Sequence, residues 1–169
     1  GFFGEILRDF PERKAHMHVL HLPRFIQMTG KTKFILNLNN YRNAHFRTLH
    51  AAKIMFHEQI KKDVEALPEF DQVRLVFTHY PPHRGQSDTS NFCSIAEKFF
   101  NDVLVTLGKL KDDDSNIVIE STYRYGGVDK LNPRVEVAIH PVGEMLSAAQ
   151  PKKDTSMQIT LVQAEIEQA

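Results

Sequence analysis

Asp88 and the triplet Asp112, Asp113 and Asp114 are the side chains in this sequence best suited to chemistry. They bracket one apolar helical run. Asp88-Thr89-Ser90-Asn91 leads into it, and Gly108-Lys109-Leu110-Lys111 leads from it to the triplet. A helix hairpinned between two acidic ends can bring carboxylates from both ends together. Grouped carboxylates repel each other unless a cation neutralises them. Hard oxygen ligands favour magnesium or manganese over zinc. The chemistry implied is metal-dependent work on phosphates, and Lys109 and Lys111 beside the triplet could meet those phosphates. Taken alone, the triplet reads equally well as a solvated acidic loop.

The helical run has a polar stripe of its own. Asn91 and Lys98 are seven residues apart and so lie ~20° from alignment on an ideal helix. Asp102 continues the stripe and Glu97 stands near its edge. This suits an active-site wall, or else a solvated face with a Lys98–Asp102 pair at i, i+4 spacing. Thr29-Gly30-Lys31-Thr32 has the closing residues of a phosphate-binding loop. It lacks the upstream glycine and the following helix, so it reads as a turn before a strand.

The elements that must position these residues follow from periodicity and breakers. Lys33 to Leu38 reads as a strand and Asn39 to Asn43 as a polar loop. Phe46 to Ala66 reads as a long helix with Phe46, Leu49, Ile54, Phe56, Ile60 and Val64 on its apolar side. Val73 to Tyr80 alternates and is β-branched or aromatic, hence a strand ended by Pro81-Pro82. The second helix is expected from Asn91 to Leu107, with Ser90 as N-cap and Gly108 as the C-terminal cap. Ile117 to Tyr125 is a strand, Gly126-Gly127 a turn, and Arg134 to His140 the returning strand of a hairpin. The order β-α-β-α-β-β predicts an α+β (mixed α/β) domain over residues 33–142, with helices packed on one sheet. Residues 1–32 read as an irregular N-terminal extension, with rough helical spacing of Phe2, Phe3, Ile6, Leu7 and Phe10. Residues 143–169 read as a tail in which Met157 to Val162 has strand character.

Composition narrows the classes. A chain of 169 residues is most simply one domain with tails. The single cysteine, Cys93, excludes an internal disulfide framework and a Cys-rich zinc site, and suits a reducing cytoplasm. No apolar run approaches the roughly 20 residues that span a bilayer. Phe2 and Phe3 stand beside Glu5 and Asp9, unlike a signal peptide. Formal net charge is zero, with 21 basic and 21 acidic residues. That argues mildly against nonspecific coating of DNA. It leaves a nuclease open, because acidic metal ligands offset basic DNA contacts in the sum.

Taken in order, Asp88-Thr89-Ser90-Asn91, Glu97-Lys98, Asn101-Asp102-Val103-Leu104-Val105, Gly108 and Asp113-Asp114-Ser115-Asn116-Ile117-Val118 resemble the RusA family of Holliday junction resolvases. The family pattern runs Asp-x-Asp-Asn, a helix with a lysine, Asp-x-Leu, a glycine, and Asp-Asp before a strand. The Asn39-Asn40-Tyr41 segment, the long helix, the Val73–Tyr80 strand and the closing hairpin also look similar. The resemblance covers roughly residues 33 to 142.

What the resemblance implies is a homodimer that binds four-way DNA junctions and cuts them symmetrically with magnesium, manganese being able to substitute. By position, Asp88, Asp113 and Asp114 would be metal ligands. Asp88, Asp114 and Lys98 would be the catalytic set. Ser90 stands where the family has a second loop aspartate, a weaker ligand at that place. Asn39, Asn40, Arg42, Arg84 and Lys111 are expected to contact DNA, with Arg47 and Lys53 as further backbone contacts. A turn and cap role for the asparagines is an equal alternative. The rival reading is a catalytically weak or inactive junction-binding protein on the same fold. Either implies a cytoplasmic protein of bacterial or phage origin with no membrane partner.

Overall fold

The computed structural model describes residues 17–142. Within them the chain forms β1 (His18–Leu22), β2 (Phe25–Gln27), β3 (Lys33–Ile35), α1 (Leu38–Asn43), α2 (Phe46–Glu65), β4 (Gln72–Tyr80), a 3-10 turn (Arg84–Gln86), α3 (Thr89–Thr106), β5 (Val118–Tyr125) and β6 (Arg134–Val142). The class is α+β, with three helices packed against a mixed sheet. The sheet order is β1-β6-β4-β5, and β2 and β3 form a separate two-stranded ribbon. No helix among the described residues is long and apolar enough to cross a membrane. The expected N-terminal helical spacing and the Met157–Val162 strand lie outside the described residues.

Strict alternation makes the central strands. β4 turns Val73, Leu75, Phe77 and His79 to one side, all fully buried, while Arg74, Val76, Thr78 and Tyr80 keep some exposure. β6 does the same with Val135, Val137 and Ile139. Period-two burial of this kind marks a sheet with one packed face. α3 lies on that face and α2 lies against α3. Because α3 is sandwiched, its buried stripe is wide: Phe92, Cys93, Ile95, Ala96, Phe99, Phe100, Asn101, Val103 and Leu104. α2 buries a narrower line, Ala52, Phe56, Ile60 and Val64. Phe46 and Ile54, expected on its apolar side, are 70% and 51% exposed.

Four local expectations are corrected. First, the folded unit does not begin at residue 33: His18 to Leu22 pairs antiparallel with Ile139 to Val135 as an edge of the sheet. Short alternation with histidines at positions 18 and 21 hid that strand. Second, Asn39 to Asn43 is not a loop. Asn37 caps a helical turn there by accepting from the Asn40 N–H, so β3 stops at Ile35. Third, α3 is capped by Asp88, not Ser90; Asp88 Oδ1 accepts from the Asn91 N–H. Fourth, β5 and β6 are not a hairpin. β4 lies between them, parallel to β5 and antiparallel to β6. Gly126 joins the turn to β4 by donating its N–H to His79 O, at a point where any Cβ would overlap the Tyr80 ring and the Thr78 methyl. At the far end of α3, Gly108 does act as expected. It takes φ 73°, where glycine carries no steric penalty, and the Lys109 N–H returns to Leu104 O.

Candidate functional site

The parallel crossover β4–α3–β5 decides where the acidic residues go. Asp88 caps the start of α3, beyond the end of β4. Asp112, Asp113 and Asp114 follow its end, where Phe70 N–H donates to Lys109 O and Val73 N–H to Ile117 O at the beginning of β4. The two acidic groups are therefore separated by the whole of α3. Its 18 residues span about 27 Å at 1.5 Å per residue. A shared magnesium ion needs each ligand oxygen about 2 Å from the metal. The expected union of Asp88 with Asp113 and Asp114 is thus not made within one chain. Among the described residues no group of three or more His, Cys, Asp or Glu side chains is arranged to hold a metal ion. The implied magnesium does not fit a single subunit.

Each end has its own construction. At the triplet, Asp112 Oδ1 accepts from the Asp113 N–H and Asp114 Oδ1 from the Asn116 N–H, so two of the carboxylates fold the loop on itself. All three are exposed, as is Lys111. Partial desolvation, then the hydrogen bond and charge of Asp112, raise the Asp113 carboxyl above its usual range. At the other end Asp88 is also exposed, and its Oδ1 accepts from the Ser90 hydroxyl and the Asn91 N–H. Beneath it lies a cluster that composition did not reveal. Arg24, only 7% exposed, donates Nε to His79 Nε2 at 3.1 Å and Nη2 to Gln86 Oε1 at 2.9 Å. Its guanidinium sits 4.3 Å from the centroid of Phe92, on which His79 also stacks. Burial first, and the Arg24 charge second, push the His79 imidazole down to about 4, against a small opposing pull from Asp88. A histidine at an inward position of an otherwise apolar alternation was the available signal.

The polar stripe of α3 is divided among neighbours. Lys98 does not pair with Asp102. Its ammonium lies 5.7 Å from the centroid of Tyr41 on α1, and Lys53 of α2 approaches the same ring at 6.0 Å while meeting Asp102 at 3.9 Å. Cations near an aromatic face are held by its quadrupole. Lys53, His50 and His57 also line a groove between α2 and α3 floored by Phe99 and Val103. Asn91 Oδ1 accepts from the Leu38 N–H and ties α1 to α3. Asn40 donates to Ile35 O and Asn39 accepts from Asn43, so both asparagines are engaged in shaping α1. Arg42 and Arg84 are exposed. Glu97 is turned away from Lys98 toward β5, where the Ser121 and Tyr123 hydroxyls donate to it. Both its carboxylate oxygens are engaged there. Cys93 is buried against Phe77 O, and burial followed by the Glu97 charge pushes its thiol up to about 12. It is no nucleophile.

The structure thus brings Lys98, Lys53 and Tyr41 into one region of the α1–α2–α3 surface, and leaves the two acidic groups apart. No family model matches the chain, and no curated protein matches it.

Proposed function

We propose that the chain is a branched-DNA-processing protein of RusA type that acts as a homodimer, each cutting site being completed across the two-fold axis. The observation that carries this reading is the pairing of an exposed acid at each end of one rigid helix with a cationic and aromatic surface beside it. Lys53, Lys98 and Tyr41 offer positive charge and a ring face, and phosphate-backbone recognition uses donors of this kind. An isologous dimer places the same surfaces of two chains opposite each other. Two copies of α3 running antiparallel would set Asp88 of one chain near Asp114 of its partner. A divalent ion held there would acidify a bound water and stabilise the charge of phosphodiester hydrolysis. Lys98, at the middle of α3 and so about 12–14 Å from either end, would hold the DNA backbone between the two sites. A cytoplasmic location goes with this reading.

The second reading, junction binding without cleavage, is favoured by Ser90 in place of an acid. Subunit mixing separates the two. Asp88→Asn and Asp114→Asn should each abolish magnesium-dependent cutting of a synthetic four-way junction while sparing binding. Mixed and re-equilibrated, they should regain cutting at about a quarter of the sites, because half the dimers are mixed and each carries one intact site. Binding without cutting under every metal condition would leave the non-catalytic reading. A monomer at working concentrations, or variants that fail to complement, would overturn the composite site.

A further inference from the structure

At the end of β4 the chain buries a cation, and among the described residues no carboxylate is paired with it. Both hydrogen bonds of Arg24 to described residues go to neutral acceptors, His79 and Gln86. Among the described residues Arg24 belongs to none of the ion pairs. An enclosed guanidinium with no anionic partner is unfavourable unless something else neutralises it. Its third nitrogen, Nη1, bonds no described residue. Nor is it one of the sealed, unpaired atoms, which are His79 Nδ1, Ser94 Oγ and Asn101 Oδ1. The rest of the side chain is clamped by its two bonds, which leaves Nη1 as the one guanidinium nitrogen engaged by no described residue.

The surroundings suit an anion. The carboxyl ends of the parallel strands β4 and β5 lie here, the place where open sheets with parallel strands take ligands. The start of the 18-residue α3 adds its partial positive charge. Arg84 is exposed on the turn that carries Gln86, the residue Arg24 grips. Asp88 stands at the same end, but its Oδ1 is already engaged by Ser90 and Asn91. The geometry points to a phosphate-oxygen site in which Arg24 Nη1 is the principal donor. That the phosphate belongs to DNA rests on the function proposed above; the site itself does not.

The Arg24 Nε–H, enclosed and bonded to His79, should give a slowly exchanging 1H–15N resonance, assigned by its loss in Arg24→Lys. Dimethyl phosphate, inorganic phosphate and a four-way DNA junction are titrated separately at constant ionic strength set with chloride. A saturable shift of this resonance with either small phosphate, absent with chloride, is the expected result. A shift with the junction as well assigns the phosphodiester as ligand. Shifts with small phosphates and silence with the junction keep the site and sink the DNA reading. Junction-induced changes at the Lys53 and Lys98 amides with Arg24 silent keep the DNA reading and sink the site. No response to any probe sinks the site. Arg24→Gln should weaken junction binding about tenfold, the loss of one charge-assisted hydrogen bond, with Arg24→Lys largely retaining it. Thermal melts establish that both variants fold, and the wild-type titration decides the matter if they do not.

Discussion

The two ends of α3 carry the same kind of side chain and are built in opposite ways. Asp88 stands over a closed cluster in which Arg24, His79 and Phe92 are buried and interlocked. Asp112, Asp113 and Asp114 stand on an exposed loop whose side-chain bonds reach only one or two residues along the chain. The triplet's own carboxylates serve local turn chemistry, while Gln72 and Lys109 tie the flanking loop to its neighbours. The contrast teaches that acids adjacent in a motif need not be adjacent in space. A continuous helix of 18 residues between them sets their separation.

The largest expected effect that sharpens this contrast is on pH dependence. The folded state holds His79 neutral with its pKa at about 4, below the unfolded value of 6.5. As pH falls below 6.5 the unfolded chain takes up a proton that the folded chain refuses. Stability is therefore fully present above 6.5 and is lost toward pH 4, by about 3 kcal/mol from this residue. Asp113, with its carboxyl raised, contributes with the opposite sign, gaining slightly as pH falls. Urea denaturation at pH 7 and at pH 4.5 should show a steeper loss for the wild type than for His79→Gln. Equal slopes would mean that the Asp88 end is not the closed cluster described.

Next in size is the cap. Asp88→Ala should cost about 1 kcal/mol through the lost N-cap of α3, whereas Asp114→Ala should stay within about 0.5 kcal/mol, as exposed loop changes do. Melting temperatures of the pair test this directly, and equal losses would erase the difference between the ends. Smallest is Asp113→Asn. Removing one of three clustered charges should raise stability slightly at pH 7 and less so in high salt, where the repulsion is screened. A loss instead would show that the triplet takes part in a favourable contact.

Much of the frame was legible. Alternation in Val73–Tyr80 and Arg134–His140 gave two strands and their inward faces, because a residue's side in a strand depends only on parity. Gly108 announced the end of α3, and the helix boundaries of α2 followed from Pro68 and apolar spacing. The candidate site was legible only as an ordered set of residue types. Its cluster was not, since Arg24 and His79 are 55 residues apart and no local pattern reports on such a pairing. The apparent hairpin of β5 and β6 failed for the same reason: adjacency in sequence was taken for adjacency in the sheet.

The order of amino acids by itself determined the long helices α2 and α3, the strands β4, β5 and β6, the stop of α3 at Gly108, and which residues bear charge. These properties depend on backbone preference and on patterns a few residues long. Tertiary structure alone decided that β6 lies between β1 and β4, that Arg24 is enclosed beside His79, and that Asp88 and Asp114 face opposite ends of the molecule. Those outcomes depend on which distant surfaces bury each other best, a balance of packing and desolvation over the whole core that no short stretch of chain encodes.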